Sequence, residues 1–220
     1  MKQKITLALL GALSCLMLNA VAQTPTARER DANVDLAAKL REVEASPALL
    51  DAARKSGAKV AQFCANCHGD GGNSNNTDTP NLAGQNSAYL LEQVRRFSDG
   101  RRKNEFMEGM IKALKADEKI GITVYCASRN VLVRPVTNAA LVAQGKEYYT
   151  KVCIKCHGDK GLGSDKFARI AGQQTGYLTK TLQRYRGVSK ERIEPLMWQA
   201  TMTMKDSDID AVVAYVSSMQ

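Results

Sequence analysis

The stretch Cys-Ala-Asn-Cys-His at residues 64–68 returns as Cys-Ile-Lys-Cys-His at residues 153–157. These two pentapeptides contain four of the six cysteines and both histidines of the 220-residue chain. Cys-x-x-Cys-His is the attachment signature of c-type haem. Two thiols three positions apart on one helical turn can add to the two vinyl groups of one porphyrin, and the next residue brings an imidazole under the iron. The pattern therefore predicts two covalently bound haem c groups.

The motifs also predict the role of each cysteine and histidine. The predicted thioether attachment sites are Cys64, Cys67, Cys153 and Cys156, and the predicted proximal iron ligands are His68 and His157. A zinc ribbon pairs its Cys-x-x-Cys knuckles about 15–20 residues apart, whereas these begin 89 positions apart. A thioredoxin-like redox pair needs a βαβ context, which neither motif has. Two disulfides would leave no role for the histidine that follows each pair.

The motifs belong to a tandem repeat that covers most of the chain. Leu82–Gln85 returns as Ile170–Gln173, and the later pair Tyr89-Leu90 returns as Tyr177-Leu178. Matching positions stay 88 to 90 residues apart throughout. Two copies predict two similar domains rather than a solenoid. We place them at 46–130 (unit 1) and 131–220 (unit 2).

Each unit has the pattern of short helices joined by Gly- and Asn-rich loops, without a convincing strand. Leu90, Val94 and Phe97 lie at i, i+4 and i+7 and form one apolar stripe. Gly145 on the first helix of unit 2 is predicted to let that helix cross the last one closely, because any side chain would separate them. Asn138 is the predicted cap of the same helix. The expected fold is all-α.

The first 22 residues are predicted to be a secretory signal peptide. Lys2 and Lys4 precede an apolar run that ends in Ala20-Val21-Ala22, with cleavage expected before Gln23. The run is too short to span a membrane, and the residues before Cys15 match a lipid-attachment box poorly. Localisation to the periplasm is therefore expected. The mature protein would be soluble or at most peripherally associated with a membrane.

Residues 23–45 precede the repeat and are predicted to form an N-terminal helical extension. Asp31–Glu44 is charged and helix-prone, with an uneven apolar face made of Val34, Leu36, Leu40 and Val43. Such a helix either packs on unit 1 as a solvated surface helix or carries a contact with a partner. The sequence favours the first use.

The distal iron ligand can be narrowed by elimination. Both histidines are assigned, which leaves Met, Lys, Cys, a backbone group, water or no ligand. Methionine is the usual partner of histidine in cytochromes c, and the candidates are Met107, Met110, Met197, Met202 and Met204. Met107 and Met197 lie 39 and 40 residues after their histidines and each lies 18 residues before a tyrosine of the last helix. No other pair shares both registers, so Met107 and Met197 are the predicted ligands and the others are core fillers.

Taken together, these residues resemble the cytochrome c4 family of dihaem class I c-type cytochromes. The resemblance covers nearly all of residues 56–220, through Cys-x-x-Cys-His-Gly, Leu/Ile-Ala-Gly-Gln-x-x-x-Tyr-Leu and the late Met. It implies two tandem cytochrome c-like all-α domains about a pseudo-two-fold axis. It also implies haems close enough to exchange electrons and service as a periplasmic carrier to a terminal oxidase.

Two features depart from the family pattern. Family members often place a proline before the Ala-Gly-Gln segment, and its carbonyl can hold the haem histidine. Pro80 fits that role, but its counterpart in unit 2 is Ala168. A carbonyl at Ala168 can still accept the bond, with less rigidity. The extension before residue 46 also exceeds what the family predicts and leaves room for a different partner.

Electron transfer rather than catalysis is the predicted function. His/Met ligation closes the iron to substrates and lets its valence change without ligand exchange. The expected partners are redox proteins, either a terminal oxidase or a quinol-oxidising complex, and nucleic acid is excluded by compartment and by the lack of a binding fold. The basic residues of 95–103 would neutralise haem propionates, dock an acidic partner or form a solvated face.

Two alternatives stay open. One is a dihaem enzyme, peroxidase-like or thiosulfate dehydrogenase-like. No third histidine is available for a peroxidase, but thiosulfate-oxidising enzymes that resemble this family can use a cysteine as distal ligand. Cys126 lies where unit 2 has Val216, which favours a buried small hydrophobe over a ligand. The other alternative is a cytochrome subunit bound permanently to a larger oxidoreductase complex.

Overall fold

The structure, a computed structural model, describes residues 34–133 and 138–220. The predicted signal peptide at 1–22, Cys15 and the first part of the extension lie outside these ranges. Helix α1 spans Leu36–Ala45, and unit 1 follows with α2 at Pro47–His68, α3 at Ser87–Ser98, α4 at Glu105–Ala113 and α5 at Ala116–Ala127. Unit 2 contains α6 at Ala139–Val152, α7 at Ile154–His157, α8 at Thr175–Arg186, α9 at Pro195–Thr201 and α10 at Asp206–Ser218.

The predicted all-α fold is confirmed. Within the described ranges the ordered elements are these helices and a short 3-10 turn at Asp70–Gly72, with no β-strand. An isolated backbone bridge joins Arg102 to Arg192. Across the same ranges, no helix combines the length and apolarity needed to cross a bilayer.

Polar side chains start the first helix of each unit. Ser46 caps α2, where its hydroxyl accepts a hydrogen bond from the Leu49 amide at 3.4 Å. The Asn138 side chain accepts one from the Leu141 amide at 3.0 Å, which confirms the predicted cap of α6. Such caps satisfy backbone donors that the first helical turn leaves free.

Glycine lets the first and last helices of each unit cross in backbone contact. A Cβ atom added at Gly145 on α6 would lie 1.9 Å from the carbonyl oxygen of Ala211 on α10. In unit 1, a Cβ atom on Gly57 of α2 would lie 2.0 Å from the carbonyl oxygen of Gly121 on α5. The predicted close crossing at Gly145 is therefore confirmed, and unit 1 repeats it with glycine on both helices.

The buried cores of the two units differ in the helices that contribute to them. Unit 2 has a buried cluster around α6, α8 and α10, which consists of Tyr149, Ala171, Leu178, Met204, Ile209, Val212, Val213, Val216 and Met219. In unit 1, Leu40 and Val43 of α1 join Leu91, Ile120 and Val124 in one buried cluster. Helix α1 is thus part of the core of unit 1, as the packing interpretation of the extension expected.

The two units meet through hydrogen bonds that obey the repeat. Gln85 donates to the carbonyl of Arg169 at 2.8 Å, and its Oε1 accepts from the amide of Arg169 at 2.7 Å. At the matching positions, Gln173 donates to the carbonyl of Asn81 at 3.0 Å and accepts from the amide of Asn81 at 2.7 Å. The matching glutamine of each unit therefore hydrogen-bonds to the backbone of the other unit, as a pseudo-two-fold axis requires.

Candidate haem-binding sites

Each Cys-x-x-Cys-His motif lies where a helix ends. Cys64 and Cys67 belong to the last turns of α2, which stops at His68, and Cys156 belongs to α7 just after Cys153. Within the described ranges none of these cysteines forms a disulfide. In each motif the first cysteine is partly buried and the second is exposed. Both motifs therefore place two cysteines within a short helical segment, as thioether attachment needs.

The two histidines are held in the same way. Nδ1 of His68 lies 2.9 Å from the carbonyl oxygen of Pro80, and Nδ1 of His157 lies 2.8 Å from that of Ala168. A carbonyl only accepts, so each Nδ1 carries the proton and each Nε2 keeps a lone pair for a metal. The expected acceptor role of the Ala168 carbonyl is confirmed, although no proline stands there.

Burial keeps both imidazoles neutral. The side chains of His68 and His157 are only 9% and 8% exposed. Burial lowers the pKa of each histidine below its usual value, against the opposing effect of the hydrogen bond to the carbonyl. Neutral imidazole is the form that binds iron, and its Nδ1–H bond fixes the ring orientation and raises its basicity.

The predicted distal ligands occupy matching positions on short helices. Met107 is the third residue of α4 and Met197 is the third residue of α9. The amide of Met107 donates to the Asn104 side chain at 2.9 Å, and the carbonyl of Met197 accepts from the buried Thr201 hydroxyl at 2.8 Å. Both methionines thus sit on backbone that is fixed by a hydrogen-bonding side chain.

The remaining candidate methionines differ in burial. Met204 is 5% exposed and belongs to the core of unit 2, which confirms its prediction as a core filler. Met202 is 50% exposed, so the same prediction was wrong for Met202. Met202 is the C-cap of α9, one residue beyond the buried Thr201, where the helix ends.

A cluster of arginine and tyrosine side chains lies between the units. Arg102 and Arg192 are related by the repeat, and both donate to the hydroxyl of Tyr177, at 3.2 and 3.1 Å. Arg192 also donates to the hydroxyl of Tyr89. Arg102 donates to the side-chain carbonyl of Gln93 at 3.0 Å. Two positive charges therefore converge on the hydroxyl of Tyr177.

Among the described residues this cluster contains no carboxylate, and it fits the carboxylates that haem would bring. Within the described ranges neither Arg102 nor Arg192 forms an ion pair, and Nε of Arg192 is buried without a hydrogen-bond partner. Burial alone would raise the pKa of Tyr177, but the charges of the two arginines lower it to about 7. A buried cation without a counterion is costly. Haem propionates would supply the missing negative charge at this interface.

Most of the basic cluster predicted at 95–103 is neutralised within the protein. Arg96 pairs with Glu92 at 2.8 Å and with Glu194 of unit 2. Arg101 pairs with Asp99 at 2.7 Å and with Glu92 at 3.1 Å. These contacts turn the cluster into an ion-pair network rather than a free docking patch.

Cys126 is buried in α5. Its side chain is 3% exposed, and burial raises the pKa of its thiol to about 12. Its carbonyl accepts from the amide of Gly84 at 3.0 Å, just as the carbonyl of Val216 accepts from the amide of Gly172 at 3.0 Å. The thiol therefore takes the place of an aliphatic side chain in the repeat, which supports the small-hydrophobe interpretation.

Arg192 and the tyrosines around it were not among the site residues predicted from the sequence. The repeat held a usable signal, because Arg192 follows Arg102 by 90 residues, the same spacing that separates the two predicted distal methionines. Only the folded structure shows that the two arginines share one hydroxyl.

Comparison with known proteins agrees with this geometry. The Cytochrome c family model matches residues 55–118 and 142–220, one segment in each unit. The chain is 30% identical to cytochrome c4 of Pseudomonas aeruginosa over 176 residues, which cover 74% of this chain and 87% of that protein. It is 29% identical to a protein of Thiomonas intermedia named thiosulfate dehydrogenase electron acceptor, over 72% of this chain and 79% of that protein.

The fold is shared with a solved structure as well. Reduced recombinant cytochrome c4 from Pseudomonas stutzeri superposes with a TM-score of 0.70 at 27% identity, covering 76% of this chain and 98% of that one. The chain therefore belongs to the cytochrome c family and, within it, to the dihaem cytochromes c4, and its cofactors are two covalently bound haem c groups.

Proposed function

We propose that this protein is a periplasmic electron carrier between components of a respiratory chain, with each haem iron ligated by histidine and methionine. Unit 1 would use Cys64, Cys67, His68 and Met107, and unit 2 would use Cys153, Cys156, His157 and Met197. The observation that carries the proposal is the repeated histidine geometry. In each unit a buried neutral imidazole is fixed at Nδ1 by a backbone carbonyl, which leaves Nε2 for iron.

The chain's own groups support electron transfer by holding this arrangement still. Each haem, when bound, supplies an iron that exchanges one electron. The carbonyls of Pro80 and Ala168 keep the imidazoles in one orientation. The glutamine pair at the interface fixes one unit against the other. A rigid surround means that little reorganises when the charge on the iron changes.

The domain boundaries at 46–130 and 131–220, the periplasmic location and the partners are part of this proposal. The amino-terminal pattern of basic, apolar and small residues supports export. The expected partners are redox proteins, namely a terminal oxidase or a quinol-oxidising complex. The relative named as an electron acceptor for thiosulfate dehydrogenase is consistent with a carrier. Burial of Cys126 gives no support to an enzyme that uses it as distal ligand.

Visible and near-infrared spectra of the purified holoprotein test the proposal. Both ferric haems should contribute to the Met–iron charge-transfer band, and neither ferrous haem should bind carbon monoxide, because two protein ligands close each iron. Cys126→Val should leave these spectra unchanged. Colourless protein, or rapid carbon monoxide binding at either haem, would contradict the carrier. A changed ferric spectrum in Cys126→Val would point to the enzyme alternative.

Loss of a buried interface charge should change the redox equilibrium. Replacing Arg192 with Leu is expected to lower the reduction potentials, because a positive charge nearby favours the ferrous haem over the ferric one. Charges about 10 Å apart at an effective dielectric constant near 20 interact by about 1.7 kcal/mol, which corresponds to roughly 70 mV for one electron. Potentiometric titration measures the shift. Arg101→Leu, which removes an exposed arginine paired with Asp99, is the control and should shift the potentials far less; equal shifts would refute the role of Arg192.

A further inference from the structure

Tyr149 on α6 makes a contact in unit 2 that unit 1 lacks. Its side chain is 1% exposed, and its hydroxyl donates to the carbonyl of Gly158 at 2.5 Å. Gly158 directly follows His157, the predicted proximal ligand. The position that matches Tyr149 in unit 1 is Val60, which has no hydroxyl to offer.

A second difference affects the same histidine. The carbonyl that accepts from Nδ1 of His68 belongs to Pro80, whose ring fixes the backbone angle φ. The carbonyl that accepts from Nδ1 of His157 belongs to Ala168, whose backbone has no such constraint. The proximal side of unit 2 thus lacks the rigid proline of unit 1 and gains a tyrosine hydroxyl instead.

The tyrosine is well placed to stiffen this segment. Its ring packs edge-on against Tyr215 of α10, with ring centroids 5.4 Å apart, and it belongs to the buried core of unit 2. The hydroxyl therefore approaches Gly158 from a fixed direction. The same Gly158 carbonyl also accepts a hydrogen bond from the Gly161 amide at 3.2 Å. The carbonyl oxygen of Gly158 therefore connects the turn after His157 to the buried core of unit 2.

We propose that Tyr149 is a positioning residue for His157 and performs in unit 2 the task that the proline ring of Pro80 performs in unit 1. The inference rests on the proposed histidine ligation. A firmly held Nδ1–H bond makes the imidazole more basic and stabilises ferric iron. The hydroxyl of Tyr149 therefore keeps the reduction potential of the unit 2 haem lower than it would be on a loose turn, and so sets the difference between the two haems.

The test uses Tyr149→Phe in the holoprotein, which keeps the buried ring and removes one hydrogen bond. The potential of the unit 2 haem should rise while that of unit 1 stays unchanged. The ferric/ferrous equilibrium of the unit 2 haem should shift by up to about fivefold, the factor that one ordinary hydrogen bond contributes. Tyr148→Phe is the matched control, because within the described ranges the Tyr148 hydroxyl makes no hydrogen bond, and it should leave both values unchanged.

A rescue variant separates positioning from general stability. Adding Ala168→Pro to Tyr149→Phe should restore the unit 2 potential, because the amide of Ala168 donates no hydrogen bond in the described ranges and a proline can fix the carbonyl. A double variant that keeps the raised potential contradicts the equivalence with Pro80. If the wild type shows two His/Met haems but Tyr149→Phe behaves as wild type, the inference fails and the proposed function stands. If the wild type lacks such haems, the proposed function itself fails.

Discussion

Met197→Ala is expected to remove about half of the ferric Met–iron charge-transfer absorption of the holoprotein and to open one of its two haems to carbon monoxide. We expect the loss of half of the absorption because Met107 and Met197 occupy matching positions on α4 and α9, so each haem should contribute equally. Loss of a thioether ligand leaves water or no ligand on that iron, and the potential of that haem should fall, because methionine favours the ferrous state.

The chain offers close controls for this experiment. Met202→Ala changes an exposed methionine at the end of the same helix and should leave the band intact. Met107→Ala should remove the other half, and the double variant should remove all of it. An undiminished band in both single variants would show that the irons are ligated by other groups.

Gly145→Ala is expected to destabilise unit 2 strongly, because the added methyl group meets the backbone of the last helix. The added Cβ atom would lie 1.9 Å from the carbonyl oxygen and 2.6 Å from the carbonyl carbon of Ala211. Backbone atoms cannot turn aside as a side chain can, so α6 and α10 must separate. Overpacking usually costs about 1–3 kcal/mol, and a clash with backbone belongs at or above the upper end of that range.

Denaturant unfolding followed by circular dichroism measures this cost. Gly109→Ala is the matched control, because Gly109 lies in α4 and a Cβ atom there meets nothing within 4 Å. Alanine should even stabilise that helix slightly, by up to about 1 kcal/mol. Equal stability of the two variants would mean that the helices do not cross in contact at Gly145.

Features encoded by short spacings could be predicted from the sequence. The motifs ending in His68 and His157 depend on neighbours within one helical turn, and the cap at Asn138 depends on residues three positions away. Gly145 could be found because only glycine permits close helix crossing and the repeat places it opposite the last helix. The c4 resemblance used the same local signals and is confirmed by the family match.

Features created by contacts between distant segments could not be predicted. Arg96 lies 98 residues from Glu194, its partner in unit 2, so the sequence left open whether the basic run binds propionates, docks a partner or is solvated. The shared use of Tyr177 by Arg102 and Arg192 arises only when the units face each other. For the extension, the sequence predicted packing on unit 1 but not the residues it meets there, since Leu91 and Ile120 lie far from α1 along the chain.

The exchange of hydrogen bonds by Gln85 and Gln173 bears on how such a chain can originate. A face that recognises the backbone of its own duplicate would also recognise an identical separate molecule, so a gene for one such module alone would already encode an isologous homodimer. Fusion of two gene copies would then preserve the interface and free each half to diverge. Pro80 in one half and Tyr149 in the other are an example of such divergence.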